Sequence, residues 1–376
     1  MAAPVSRVLI IGGGFSGMAA AIELRKRGVR VDLVEIDPRW RSYGAGISLG
    51  GASMRALSQL GVIDAFLAEG AASDGVEVFL PAGQKIAALP TPRLAGPGIP
   101  GNGAIMRPAL ARILADATRA AGVDVRLGCT FTAIAQDDGG VDVAFTDGSV
   151  GRYDLVVGAD GLYSQVRQAV FPDAPQPRYC GQGVWRAVLP RFADVNGTMM
   201  WMGPRVKPGL NPVSRDSMYL FVTEDRAANE FVDPAQFLAR LQDLLAPFPA
   251  PLLQRARVHL NEASQIIYRP LESLLMPNPW YRGRVVLIGD TVHATTPHMA
   301  SGACIGIEDA LVLAEEVAAA GSVDQALDRF QARRWGRCRM VVQNSGRLGE
   351  IEIAGGDKEQ HARIMRETLS ALAAPI

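Results

Sequence analysis

The chain opens on an apolar run, Val8-Leu9-Ile10-Ile11, followed at once by Gly12-Gly13-Gly14 and then by small and apolar residues as far as Arg27. The run reads as a buried strand and the stretch 18–27 as a helix closed by Gly28. A second β-branched strand, 29–34, ends in Glu35. A loop spans 37–51, and a helix runs from Ser53 to about Leu60. A short strand at 76–80 precedes a Pro/Gly-rich stretch, 90–103, that reads as an excursion to a second layer. Arg107-Pro108 opens a helix whose Leu110, Ile113, Leu114 and Ala117 share one face, and Gly122 ends it. Residues 123–127 follow as a strand. Alternation in Val141-Asp142-Val143-Ala144-Phe145, then Asp147-Gly148, predicts a hairpin. Residues 154–158 are again a strand, turning at Ala159-Asp160-Gly161 into a helix from Ser164 to Val170.

From Pro172 to about Pro279 the pattern changes to short strands rich in Pro, Trp and Met, at 183–189, 197–202 and 217–223. A helix at 234–245 and a strand near 265–269 complete this part, which predicts an antiparallel sheet with one helix. The β-branched run 285–288 restores the α/β pattern, and the chain closes in long helices rich in Arg and Glu. No internal repeat or low-complexity tract interrupts it.

Composition narrows the class. The 376 residues are 48% hydrophobic and 20% charged, as in a large globular protein of two domains. Formal net charge is zero and no basic run occurs, which argues against nucleic acid and anionic membrane as partners. The N-terminal apolar run is too short to span a bilayer and lacks the basic start of a signal peptide. Cys129, Cys180, Cys304 and Cys338 show neither C-x-x-C nor metal-ligand spacing, so no metal is expected and a reducing, cytoplasmic setting is the default.

Two strand–turn–helix elements carry the chemistry. Gly12, Gly14 and Gly17 fit G-x-G-x-x-G, with Ser16 between the last two. The first glycine allows the tight turn, the second a close approach to pyrophosphate, and the third close helix–strand packing. Free N–H groups at the helix start favour the anion. Glu35, roughly twenty residues on, stands where a carboxylate accepts from a ribose hydroxyl. The second element is Gly289-Asp290, followed by His293, Pro297, Gly302 and Asp309. It sets a carboxylate after a buried strand and a helix start near Gly302, so that one ligand can meet both.

With Asp160-Gly161 in GADGLYSQVR between them, these motifs resemble the FAD-dependent group A aromatic hydroxylases, relatives of the p-hydroxybenzoate, salicylate, 6-hydroxynicotinate and urate hydroxylases. Arg107 and the GAGISLG segment at 44–50 also match, so the resemblance covers nearly the whole chain. It implies an α/β fold: a Rossmann-like FAD-binding domain (1–74, 104–175 and 280–376) with an inserted, mostly antiparallel substrate domain (75–103 and 176–279) and C-terminal helices. It implies that Gly12, Gly14, Ser16, Gly17, Glu35 and Ile36 hold the ADP part of FAD, with Arg107, Phe131 and Asp160 as further cofactor contacts. Asp290 would accept from the ribityl chain. Pro297, Gly302 and Ala303 would lie at the flavin ring, where the positive end of the helix from Gly302 stabilises negative charge on the reduced flavin. Asp160 can alternatively cap the helix that follows it. Thr291 replaces the Ala usual after the Gly-Asp pair, and Ser48 stands where the 6-hydroxynicotinate enzymes carry a His.

The implied reaction is flavin reduction by NADH or NADPH, formation of a C4a-hydroperoxide with O2, and oxygen transfer to a small aromatic or heteroaromatic ring. Only one complete G-x-G-x-x-G unit is present, so the nicotinamide nucleotide would dock without a Rossmann domain of its own. The inserted sheet should cover the flavin, with Arg186, Trp201, Arg205 and Tyr219 as candidates to hold the substrate. Tyr219 and His298 are the catalytic candidates. Arg205, Tyr219 and Pro297 are the substrate-binding ones, and His293 is read as a brace of the Gly-Asp turn. Rival readings are a halogenase- or reductase-like flavoprotein, a NAD-only dehydrogenase and a non-catalytic FAD-bound chain. A halogenase would need a W-x-W-x-I-P motif that is absent. Oligomeric state is open between monomer and homodimer.

Overall fold

The computed structural model describes residues 5–42 and 44–376. It begins with β1 (Arg7–Ile11), α1 (Phe15–Lys26) and β2 (Arg30–Glu35). β1 and β2 are parallel, with Ile10 opposite Leu33, so α1 is the crossover of a βαβ unit. Val8 to Ile11 are at most 2% exposed, as an apolar run covered on both faces must be.

β3 (Gly46–Leu49), α2 (Gly51–Leu60), α3 (Ile63–Glu69), β4 (Ala71–Ser73), β5 (Gly75–Phe79), β6 (Lys85–Pro90) and β7 (Asn102–Met106) follow. β3 lies within the loop expected at 37–51, and β6 and β7 border the Pro/Gly-rich stretch. These strands carry little period of their own. They exist because β7 offers an edge to both β3 and β4, and β5 offers one to β6.

Next come α4 (Arg107–Ala120), β8 (Asp124–Leu127), β9 (Phe131–Asp137), β10 (Gly140–Phe145), β11 (Val150–Tyr153), β12 (Leu155–Gly158) and α5 (Gln165–Val170). The expected hairpin is β10–β11, with Ala144 opposite Val150. β9, which was not anticipated, pairs on its other side.

The middle of the chain forms β13 (Arg178–Pro190), β14 (Thr198–Trp201), β15 (Val206–Pro212), β16 (Ser217–Asp225), α6 (Phe237–Leu245), α7 (Pro251–His259) and β17 (Ile267–Ser273). β15 and α7 are additions to the pattern read from the sequence. Pro208 and Pro212 mask the strand character of β15, which nevertheless pairs with both β14 and β16. β18 (Tyr281–Arg282), β19 (Val285–Leu287), α8 (Asp290–His293), α9 (Gly302–Ala319), α10 (Val323–Ile353) and α11 (Lys358–Ala373) complete the chain.

Two large sheets result. The first has the order β18-β19-β12-β1-β2-β8 and is parallel except for β18. The second has the order β17-β13-β16-β15-β14-β5-β6 and is antiparallel except where β14 meets β5. Alternation gives this second sheet two faces. Trp185, Ala187, Leu189, Leu210, Leu220 and Val222 pack with Leu241, Leu245 and Leu253 of α6 and α7. Arg186, Val188, Tyr219, Phe221 and Asn211 lie opposite one another on the other face. Among the described residues, no helix is long and apolar enough to cross a membrane.

Candidate active site

The starts of α1 and α9 flank the Ser16 hydroxyl. Gly14 is the N-cap of α1 and Ser301 that of α9, and neither helix has a side-chain cap or an acidic residue in its first turn. Their leading N–H groups therefore lack side-chain acceptors and present positive ends. Ser16 ties the two together. A Cβ on Gly289 or on Gly306 would overlap the Ser16 hydroxyl, so both backbones come as close to α1 as glycine allows. Gly289 also has φ +64°, a conformation that other residues adopt only with strain.

The turn carrying Asp290 is braced from three sides. Asp309 of α9 accepts from Gly289 N at 2.9 Å, lies 2.5 Å from His293 Nε2 and accepts from Arg334 Nε at 2.8 Å. Burial alone would raise the Asp309 pKa, but His293 and Arg334 outweigh it and bring it down to about 2. Burial likewise opposes charge on His293, yet Asp309 holds its pKa well above the ordinary value. From α5, the buried Arg167 donates to the Thr291 carbonyl at 2.7 Å, and Gly161 N donates to Thr291 Oγ1 at 3.1 Å. Thr291 thus adds a tie that the usual Ala could not. His293, Asp309 and Cys338 converge as metal ligands would, but the Arg334 guanidinium already fills that cluster.

Asp160 caps α5, accepting from Ser164 Oγ and from the N–H groups of Gln165 and Val166. Of its two expected roles, capping is the one this geometry displays. Glu35 accepts from Gly13 N at 2.7 Å and Asp37 N at 2.8 Å, leaving a second lone pair on each oxygen. Ile36 beside it is 69% exposed. Trp40, which sequence reasoning did not single out, donates its indole N–H to the Gly13 carbonyl at 2.7 Å and lies under the Arg119 guanidinium. Phe131 is half-buried at the start of β9, opposite Phe145.

The GAGISLG segment acquires a physical meaning here. Gly44, Gly46 and Ser48 occupy alternate positions on and just before β3. A Cβ on Gly44 would meet the Arg107 side chain, and one on Gly46 would meet the Tyr219 ring. Ser48 Oγ lies 2.5 Å from the Tyr219 hydroxyl and accepts from Asn211 Nδ2 at 2.9 Å. One strand edge therefore receives Arg107 from the parallel-sheet side and Tyr219 from the inserted sheet.

Electrostatics link these groups to Asp290. Burial lowers the Arg107 pKa, and Asp290 and Tyr219 are the charges and dipoles that act back on it. Burial raises the Asp290 pKa, opposed by His293 and Arg107, although the residue keeps exposed surface. Tyr219 is pushed up by burial, so its phenol is protonated at neutral pH. Arg107 is not the surface residue that a helix-start arginine usually is; its guanidinium lies over the Phe15 ring, 5.2 Å from the centroid.

Several expected site residues stand elsewhere. Trp201 is 1% exposed and stacks on Phe79 beneath α6 and α7, on the wrong face of the sheet to meet a substrate. Arg205 is exposed at the edge of β15, its carbonyl accepting from Asp225 N. Asp225 is six positions from Tyr219 along β16, or ~20 Å at about 3.4 Å per residue. Arg205 therefore does not join the Tyr219 cluster. Pro297, half-buried, opens a single 3-10 turn that also contains His298. His298 Nδ1 lies 2.8 Å from Thr296 Oγ1, and Nε2 lies 3.0 Å from Glu352 of α10. Nδ1 makes the one hydrogen bond of the imidazole, while Nε2 stands at ion-pair distance from Glu352 without hydrogen-bond geometry, so the ring braces the Pro297 turn with one nitrogen still unbonded. Lys207 and His361 also converge on Glu352 and hold its carboxyl below the usual range against the effect of burial. Gly302 and Ala303 begin α9 with partial exposure.

The donor set suits a long dianionic dinucleotide carrying a polar ring. Glycine backbone approaches Ser16 closely beside two uncapped helix starts, and the carboxylates of Glu35 and Asp290 stand at or just after strand ends. Comparison with known proteins agrees. The model of the FAD binding domain family matches residues 5–345. The 2-heptyl-3-hydroxy-4(1H)-quinolone synthase of Pseudomonas aeruginosa is 33% identical, covering 92% of this chain and 90% of that protein. Aurachin C monooxygenase/isomerase of Stigmatella aurantiaca is 31% identical, covering 92% and 89%. The crystal structure of Klebsiella pneumoniae HpxO complexed with FAD and uric acid superimposes with a TM-score of 0.85 at 25% identity, covering 98% of this chain and 97% of that one. The chain belongs to this FAD-binding family, as an FAD-dependent monooxygenase of the group A flavoprotein hydroxylases.

Proposed function

We propose that this chain is an NADH- or NADPH-dependent enzyme that inserts one oxygen atom of O2 into a small aromatic or heteroaromatic ring. The observation that supports the reading is that Arg107 lies against Gly44 and Tyr219 against Gly46 of one strand segment, with the Arg107 charge acting on Asp290. Bound FAD supplies the redox and oxygen chemistry, and the protein supplies binding, orientation and a dry cavity.

The residues divide by role. Gly12, Gly14, Ser16, Gly17 and the start of α1 take the pyrophosphate; Glu35 and Ile36 take the adenosine, with Phe131 and Asp160 at the cofactor's periphery. Asp290 accepts from the ribityl chain, and Pro297, Gly302 and Ala303 bound the ring. Arg107 bridges the cofactor and the substrate cavity. Tyr219 donates to or accepts from a ring oxygen, orienting the carbon to be attacked. On this reading residues 1–74, 104–175 and 280–376 bind FAD, and 75–103 and 176–279 bind substrate. The names of the relatives, which refer to quinolones and uric acid, support an aromatic or heteroaromatic ring.

The test is oxygen consumption by the FAD-loaded protein with NADH and, separately, NADPH, across phenols, hydroxypyridines, hydroxyquinolines and aromatic acids. At least one compound should raise NAD(P)H oxidation above the background rate and yield a product heavier by one oxygen. If none does, the hydroxylase reading fails.

A further inference from the structure

We propose that Trp40 is a positioning residue for the cofactor. It acts through Gly13, holding the glycine turn 12–17 in the shape that receives the pyrophosphate of FAD. The inference rests on the assignment of that turn to the pyrophosphate and adds to it a residue that the fingerprint does not contain.

Gly13 fills the first open position of G-x-G-x-x-G, where the motif makes no demand for glycine. Trp40 is what makes glycine necessary there. A Cβ on Gly13 would overlap the Trp40 indole nitrogen and crowd Glu35 Oε2. Both hydrogen-bonding groups of Gly13 are engaged at the same point. Its N–H donates to Glu35 Oε2 at 2.7 Å, and its carbonyl accepts from Trp40 Nε1 at 2.7 Å. The turn is therefore fixed from both sides by the protein itself. A turn held in its bound shape loses less conformational freedom when the ligand arrives.

Trp40 is itself held in a costly conformation. Its φ is +50°, in the left-handed region, which a bulky side chain rarely enters. Such a residue persists only where its surroundings over-determine it. Here they do. Trp40 N donates to the Asp37 carbonyl at 3.1 Å, Arg39 N to Asp37 Oδ1 at 2.8 Å, and Asp37 N to Glu35 Oε1 at 2.8 Å. The segment from Glu35 to Trp40 is thus a closed turn whose two ends, a carboxylate and an indole, grip Gly13. The Arg119 guanidinium of α4 lies 4.8 Å from the centroid of the indole ring, which packs at the edge of the main core. A tryptophan present only to fill that core would need neither a left-handed backbone nor its N–H on the carbonyl of the turn.

The experiment uses the full chain loaded with FAD. Dissociation constants are read from the fluorescence of flavin released on dilution, with ADP added as a competitor for the half of the site beside Gly13. Trp40→Phe keeps a ring beside Arg119 and lacks the N–H. It should raise the constants for FAD and for ADP together, by about fivefold. Gly13→Ala should raise them by as much or more. Both substitutions break the same contact, so the double variant should bind about as weakly as the weaker single one, short of the product of the two effects. A tryptophan that merely packs would lower the melting temperature of Trp40→Phe and leave both constants at their wild-type values; that outcome overturns the proposal. Single effects that multiply in full overturn it too. Should Trp40→Phe fail to fold, as judged by circular dichroism, Gly13→Ala decides: weaker binding supports the proposal and wild-type affinity overturns it. Displacement of FAD by ADP from the wild type, with unchanged constants in the variants, sinks this inference alone. ADP that displaces no FAD from the wild type sinks the assignment of the turn to the pyrophosphate.

Discussion

The hydroxyl of Tyr219 lies 2.5 Å from the side-chain oxygen of Ser48, 171 positions away in the chain. The two belong to different sheets, and their contact joins β3 to the inserted sheet. Either hydroxyl can donate, so the pair can adapt its polarity to a ring oxygen presented as donor or as acceptor.

Tyr219→Phe removes that adaptable group while keeping the ring that packs on Gly46. A lost hydrogen bond of about 1 kcal/mol corresponds to roughly a fivefold effect. The variant is expected to lose about five- to tenfold in kcat/KM, with more oxygen diverted to H2O2 as the ring is held less well. Ser48→Ala should show a smaller loss in the same direction. Steady-state kinetics with peroxide detection measures both; an unchanged coupling ratio in Tyr219→Phe would remove Tyr219 from the substrate site.

Gly46→Ala places a methyl group where the Tyr219 ring now lies. Overpacking of this kind costs about 1–3 kcal/mol when the neighbours cannot move freely. The variant should melt several degrees below wild type and bind aromatic ligands more weakly while retaining FAD. Thermal denaturation and flavin content are the measurements.

Asp290→Ala should lose bound FAD during purification if, as proposed, the exposed carboxylate at the turn is the acceptor for the ribityl chain. Asp290→Asn, which keeps an acceptor oxygen, should retain more. The ratio of flavin to protein absorbance decides between them, and full flavin in Asp290→Ala would remove the assignment.

Acid stability should report the brace behind the turn. The Asp309 pKa is lowered from 3.8 to about 2, so its contribution is present above about pH 4 and fades as the pH falls toward 2. His293 has the opposite sign: its raised pKa makes its contribution full below the ordinary value of 6.5 and lost as pH rises through the higher folded value. Thermal melts from pH 3 to pH 8 should show wild type losing stability on acidification below about pH 4. Asp309→Asn, which leaves His293 and Arg334 without a buried counter-charge, should be less stable by about 3–5 kcal/mol near neutrality and flatter with pH in the acid range.

The sequence determined a good deal of this protein by itself. The two strand–turn–helix elements were legible because their signals are local: apolar runs buried on both faces, glycines at fixed offsets, and a carboxylate at a strand end. Gly12 to Gly17, Glu35 and Gly289-Asp290 all lie where those rules put them. Period-two alternation also sent Tyr219 and Leu220 to opposite faces of their strand. β3, β6, β7 and β15 were not legible, since pairing with distant edges is what makes them strands.

Only the tertiary structure decided which polar residues share a cavity. It withdrew Trp201 to the far side of the sheet, left Arg205 at an exposed edge and set His298 between Thr296 and Glu352. It brought Arg186 beside Tyr219 and gave Ser48 and Asn211 a purpose that no motif announced. The physical reason is that a side chain's role in a cavity depends on the partners and the burial it acquires. Many of those come from distant residues, as Tyr219 lies 171 positions from Ser48, where no short-range pattern can record them.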